Sequence, residues 1–218
     1  MESLLDITLR SIAISFSAVL LAVLWSIPLS LAISRSRTKV SAVIVSIFTS
    51  LVGIPTVLIG LVLSTLLSST GLLGFLNLLY TPYAIIIGQA LLITPWLVSL
   101  SYDVFFNARN TYWELVISIG ADYRTADLIM LRETLPEILV ILLLVFSRAI
   151  GELGIALIVG GDIEGRTRVL TTAIAAAISK GDFTSAFYLG GILVLVLVSI
   201  SLMVRLLKVS GTFMEKAP

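Results

Sequence analysis

Residues 40–102, VSAVIVSIFTSLVGIPTVLIGLVLSTLLSSTGLLGFLNLLYTPYAIIIGQALLITPWLVSLSY, carry no Asp, Glu, Lys or Arg. A helix needs about 20 apolar residues to cross the hydrocarbon of a bilayer, so this run is too long for one span and must turn back. The turn lies in Ser68-Ser69-Thr70-Gly71, followed by Asn77 and Thr81-Pro82, residue types that stop helices and build loops. Two spans are therefore expected here, about 41–67 and about 83–104. This pair sets the fold class, an all-α integral membrane protein, and the remaining spans are read outward from it.

On the amino-terminal side, residues 11–34 are uncharged and form a first span, with a kink expected at Pro28. Glu2 and Asp6 stand beside a single Arg10, and the apolar run exceeds a signal peptide's hydrophobic region, so the helix is read as retained. On the carboxyl side a fourth span starts near Pro136, where proline suits a first turn, and runs to Val159. A fifth covers about 184–204. The composition agrees: 58% of residues are hydrophobic and 12% charged, with mean hydropathy +1.13, whereas soluble domains carry about 25% charged residues. Residues 1–218 read as one transmembrane domain of about five helices. A net charge of +1 gives no sign of nucleic acid, and the absence of Cys and His removes disulfides, thiolate chemistry, zinc sites of the usual kind and Ser-His relays.

Lysine and arginine at the span ends set the expected orientation. With the amino terminus outside, the inner side holds Arg35, Arg37, Lys39, Arg109, Arg124, Arg132, Arg205, Lys208 and Lys216. The outer side then holds Arg10, Arg166, Arg168 and Lys180. The excess favours N-out, C-in.

Two polar segments interrupt the hydrocarbon. The segment about 109–133 reads as two short amphipathic helices broken at Gly120 and held at the membrane surface, with Glu114 opening a helix where its carboxylate favours the positive end. Gly120 would permit a turn that a β-carbon strains. The plainer alternative is a solvated surface helix with an ordinary glycine break. The outer loop, about 160–182, holds Arg166, Arg168 and Lys180 around the apolar run Val169–Ile178, too short to span and read as an interfacial or re-entrant helix. Its bases either receive a partner and draw anions to the entrance, or are offset by Asp162, Glu164 and Asp182 in a mixed-charge loop.

Within the spans, Arg148 and Glu152 fall four residues apart and face the same side. Such charges cost about 2.5–3.5 kcal/mol at the bilayer centre even on the lenient insertion scale, so they pair or face a cavity. Either the pair locks helix packing or it lines a translocation path. Pro55, Thr56, Thr94 and Pro95 free carbonyls and add hydroxyls mid-membrane, and Gln89 is a candidate pore donor; kinked packing is the alternative. No G-x-x-x-x-G-K-[ST] occurs, so nucleotide chemistry has to come from another subunit.

Glu114 and Gly120, six residues apart and followed by a helical run into the next span, resemble the EAA loop of type I ABC importer permeases. Leu115 and Val116 replace that motif's two alanines, Met130 stands at its isoleucine, and Arg132-Glu133 replace Leu-Pro, with Leu135-Pro136 three residues later. The segments FSRAIGELG (146–154), GGDIEGRTRVLTTAI (160–174), GIPTVLIGL (53–61), GLLG (71–74) and TPYAIIIGQ (81–89) are similar to permeases of molybdate and tungstate importers. LTTAI at 170–174, followed by SKGD at 179–182, looks like the tungstate branch.

The resemblance implies a type I ABC importer permease fold in a prokaryotic cell membrane, working as a homodimer. It implies a coupling surface at Glu114, Ser118, Ile119, Gly120, Ala121 and Asp122, docked on a P-loop ATPase subunit. This chain would bind no cofactor; ATP and magnesium would sit on that partner. An extracytoplasmic oxyanion-binding protein would deliver tungstate, or else molybdate or sulfate. A gradient-driven secondary transporter with Glu152 as proton carrier is the rival from another class, and a membrane-embedded hydrolase lacks any visible nucleophile and base.

Overall fold

The computed structural model describes residues 3–36, 38–118, 120 and 122–214, with backbone alone for 112–117, 123, 124 and 207–214. Among the described residues the chain is helical with no strand: α1 Leu4–Ser34, α2 Lys39–Leu51, α3 Thr56–Leu67, α4 Pro82–Ser118, α5 Tyr123–Glu133, α6 Leu135–Ile150, α7 Gly154–Gly160, α8 Leu170–Ser179 and α9 Phe183–Met214. Three of these contain stretches long and apolar enough to cross a membrane alone, at Leu4–Ser34, Pro82–Thr111 and Phe183–Leu206. The pairs α2–α3 and α6–α7 each pass together as a bent unit, either a broken span or a re-entrant loop, so the described residues hold three spans, or up to five if each bent pair crosses once.

The bends sharpen the expectation of freed carbonyls or kinked packing at Pro55 and correct that of an unbroken fourth span. Between α2 and α3 the axis turns by 95°, and between α6 and α7 by 58°. At the first break α2 ends in tight turns, with the Gly53 and Ile54 amides donating to the Ser50 and Leu51 carbonyls. Pro55 then supplies no N–H and biases Ile54 away from helical geometry. Pro28 and Pro95 act differently: each is carried inside one continuous helix, α1 and α4.

The long helix α4 is the hub. Its apolar face toward α1, α5 and α6 buries Ile93, Leu97 and Phe105 against Ala18, Ala22, Met130 and Val145. Another face buries Ile85 and Leu92 against Leu63, Ile155 and Val159 of α3 and α7. A third cluster, Ile7, Leu170, Ala173 and Leu189, joins α1, α8 and α9. By contrast α9 leaves most of its apolar surface uncovered, including Phe187, Leu195 and Leu202.

The two polar segments lie at opposite ends of α1. Near its start, the Ser11 hydroxyl accepts the Leu170 N–H at 2.8 Å, and Arg10 donates to the Arg168 carbonyl at 3.0 Å. At its far end Arg35 pairs with Asp127 of α5. The intervening 24 residues measure about 36 Å at 1.5 Å per residue, more than the roughly 30 Å hydrocarbon thickness.

Candidate site at the junction of two broken spans

The breaks at 52–55 and 151–153 meet. Pro55 precedes α3 in extended geometry, φ −60° and ψ 126°, and Gly154 opens α7. An ideal Cβ on Gly154 would sit 2.9 Å from Thr56 Oγ1, 3.2 Å from Val57 Cγ2 and 3.3 Å from Glu152 Oε1. Only a bare Cα lets the two helix starts approach this closely. Gly154→Val is therefore expected to overpack the contact, lowering stability by about 1–3 kcal/mol. A lowered thermal midpoint in detergent checks this, with Gly190→Val, whose Cβ would meet nothing within 4 Å, as the mild control.

Glu152 gathers the pieces. Its residue is 3% exposed, and its Oε2 accepts from Arg148 Nη1 at 2.9 Å across the break. Oε1 accepts the Ile155 N–H at 3.2 Å, in the first turn of α7, where amides lack intrahelical partners. The Glu152 carbonyl accepts from the Thr171 hydroxyl of α8 at 2.8 Å. One residue thus ties α6, α7 and α8 together. Beside it the buried Gln89 of α4 donates from Nε2 to the Ala149 carbonyl at 3.0 Å. Gln89 Oε1 has no hydrogen-bond partner among the described residues.

The Arg148 guanidinium is less committed than its partner. Glu152 takes Nη1 alone, and the arginine side chain is 36% exposed against 3% for the glutamate. A carboxylate buried behind a half-exposed guanidinium presents a positive face outward, which suits attraction of an anion better than two exposed charges would.

The other intramembrane candidates separate. Thr94 faces α1: its Oγ1 accepts from Trp25 Nε1 at 2.9 Å and donates to the Ala90 carbonyl at 2.7 Å. Pro95 lines an apolar cleft of about 330 Å³ with Leu51, Ile54 and Leu58, on the α2–α3 side. So Thr56, Gln89, Arg148 and Glu152 are brought to one junction, Pro95 to its flank, and Thr94 elsewhere.

The segment 109–133 requires a correction. Residues 109–118 are not a separate surface helix but the continuation of α4, so Glu114 lies near a helix carboxyl end and opens nothing. No helix breaker occurs between Asp103 and Gly120, and the helix outlasts its hydrophobic stretch. Ser118 is the last residue of α4, while Ile119 and Ala121 lie outside the described residues. Gly120 has φ +88°, with no atom of the described residues within 4 Å of an ideal Cβ. Asp122 is the N-cap of α5, its carboxylate accepting the Thr125 N–H at 3.1 Å.

In the loop 160–182 the three bases differ. Arg166 and Lys180 are exposed. Arg168 is caged: Nε and Nη2 grip the Asp162 carboxylate at 3.0 and 2.9 Å, and Nη1 pairs with Glu164. The Asp162 hydrogen bond chiefly, with further help from Glu164, raises the Arg168 pKa above its ordinary value against the opposing effect of burial. Thr167 clips the same loop, accepting the Ile163 N–H at 2.9 Å and donating to the Gly160 carbonyl at 2.7 Å.

Sequence reading gave Asp127 and Thr171 no role. Asp127 joins residues 92 and 18 positions away, Arg35 and Arg109, and Thr171 bonds a carbonyl 19 positions back. No periodicity reports such partners; the signal was only that these polar residues adjoin apolar runs.

No protein-family model matches the chain. It is 38% identical over 186 residues to the tungstate uptake system permease protein of Peptoclostridium acidaminophilum, covering 85% of this chain and 82% of the relative. A probable anion ABC transporter permease protein of Haloferax volcanii is 34% identical over 203 residues, 91% of this chain and 88% of the relative. The tungstate uptake system permease protein of Campylobacter jejuni is 34% identical over 154 residues, 71% of this chain and 64% of the relative.

Proposed function

The chain belongs to the family of ABC anion-transporter permeases that includes the tungstate uptake permeases, multi-pass proteins of the cell membrane, and from that premise we propose that it is the membrane subunit of a tungstate importer. ATP is bound and hydrolysed by a partner P-loop ATPase. An extracytoplasmic binding protein delivers the anion, and two copies of the chain enclose the pathway. The α5 end of the bundle, rich in Arg35, Arg109 and Arg132, faces the cytoplasm under the positive-inside rule. The loop 160–182 faces the binding protein, with Arg166 and Lys180 available to it.

The observation that carries this reading is the junction of the two broken spans. A half-exposed Arg148, anchored from behind by a buried Glu152, is a cation where an oxyanion has to pass. Irregular backbone at membrane depth is tolerated where it is covered by protein or lines a cavity. Breaks at 52–55 and 151–153 also place non-helical backbone between helices, where the hinges of alternating access would act. Apolar surface on α9 is free for lipid or the second copy.

The test is tungstate uptake by proteoliposomes holding the permease and its ATPase, with binding protein outside. Accumulation that requires ATP and loaded binding protein is expected, with molybdate and sulfate competing less well than unlabelled tungstate. Accumulation driven by a proton or sodium gradient without ATP contradicts the reading. Preferential displacement by sulfate overturns the choice of anion.

A further inference from the structure

One carboxylate at the α5 end holds three helices. Asp127 Oδ1 accepts from Arg109 Nη2 of α4 at 3.1 Å, and Oδ2 pairs with the guanidinium of Arg35, the C-cap of α1. The two arms are unequal: the Arg109 side chain is 9% exposed and the Arg35 side chain 53%, with Asp127 itself at 13%. Beside this carboxylate Ala126 and Met130 are 1% exposed, and Met130 enters the main core with Phe105 and Ala108 of α4. α5 is therefore fixed to α4 by an apolar contact and an ion pair, and Asp127 adds an ion pair from α5 to Arg35 at the end of α1.

Geometry makes this consequential. α5 follows the turn at Gly120, which has φ +88° and no described atom within 4 Å of an ideal Cβ. α1 and α4 are the two long helices whose packing forms the largest core. We propose that Asp127 is a positioning residue, a two-armed latch that makes α5 move as one piece with the ends of α1 and α4. A displacement imposed on the 118–133 segment then reaches the spans instead of being absorbed at the turn. The inference rests on the reading of that segment as the surface where the ATPase acts.

The arms predict a graded series. An exposed ion pair contributes little, whereas a buried one loses more when one partner is removed. Tungstate transported per ATP hydrolysed is measured in proteoliposomes with the ATPase and binding protein, for Asp127→Asn, Asp127→Glu, Arg109→Gln, Arg35→Gln and Gly120→Val. Asp127→Asn keeps shape and loses charge; it is expected to lower the ratio about tenfold, Arg109→Gln nearly as much, Arg35→Gln about twofold, and Asp127→Glu to recover at least half. Recovery of the permease–ATPase complex by size exclusion is scored alongside, since a purely structural residue lowers yield and leaves the ratio unchanged in what remains. If Asp127→Asn cannot be purified, Arg35→Gln decides: it removes the α1 arm alone, and an unchanged ratio overturns the latch. A wild-type ratio in Asp127→Asn overturns it directly. If Gly120→Val lowers the ratio while both Asp127→Asn and Arg35→Gln leave it unchanged, the latch fails and the ATPase-surface reading stands. If neither Gly120→Val nor Asp127→Asn changes it, that reading fails too.

Discussion

Proteoliposomes carrying Arg148→Gln are expected to take up tungstate about tenfold to a hundredfold more slowly than wild type. The range follows from losing one hydrogen bond to a charged group, about 1.5–3 kcal/mol, if Arg148 meets the anion on its path. The same substitution strands Glu152 in its 3%-exposed pocket with the Ile155 N–H as its remaining carboxylate partner. Stability should therefore fall as well, by about 1–3 kcal/mol. These effects separate in the double variant Arg148→Gln with Glu152→Gln, which preserves shape and removes both charges. Thermal stability in detergent should recover toward wild type, since no buried charge is left alone. Uptake should stay low. Recovery of both properties together would mean that the pair only locks α6 to α7.

The second large effect concerns Gly120. At φ +88° it occupies the left-handed region, where a β-branched side chain costs about 1–3 kcal/mol and asparagine much less. Among the described residues nothing lies within 4 Å of its ideal Cβ, so size alone meets no described neighbour. Gly120→Val should reshape the link between α4 and α5 and cut tungstate transported per ATP at least fivefold, while Gly120→Asn stays within about twofold of wild type. The measurement is uptake and phosphate release in the same proteoliposomes. Equal losses in both variants would assign the effect to bulk against the docked partner, not to backbone geometry.

Membrane class and the positions of the three to five apolar spans were legible because charge-free runs longer than a bilayer admit few arrangements. The turn near Gly71 was legible for the same reason, and α3 does end at Leu67 before α4 starts at Pro82. Proline content was not enough to locate bends. Pro55 ends up at a 95° break, while Pro28 and Pro95 sit in continuous helices. Local chemistry at 53–55 combines a glycine with a proline, and it is the pair that stops α2. The fourth-span break carries no proline at all; Gly151 and Gly154 flank Glu152, whose carboxylate then satisfies an amide of the new helix.

The end of α4 was misplaced for a different reason. Hydropathy falls at Asp103, but no Gly or Pro follows before Gly120, and Phe105 and Ala108, buried in the core cluster with Met130, carry the helix onward toward Ser118. A membrane helix need not stop where the membrane does. At the candidate site, the Arg148–Glu152 spacing was readable four residues apart. Thr56, Gln89 and Thr171 were not readable as its neighbours, because tertiary packing brings them there across 96, 63 and 19 positions of chain from Glu152.

In the proposed importer the meeting point of the two broken spans lies on the anion's route. The chain has no cysteine, so single cysteines report without background. The direct measurement is labelling of Thr56→Cys and Leu153→Cys by a charged, water-borne thiosulfonate reagent, with Leu195→Cys on the uncovered face of α9 as control. Labelling at 56 and 153 is predicted, changing at least fivefold in rate when the ATPase is trapped with nucleotide and slowed by tungstate, while position 195 stays inert. Positions 56 and 153 as unreactive as 195 in every nucleotide state would contradict the account.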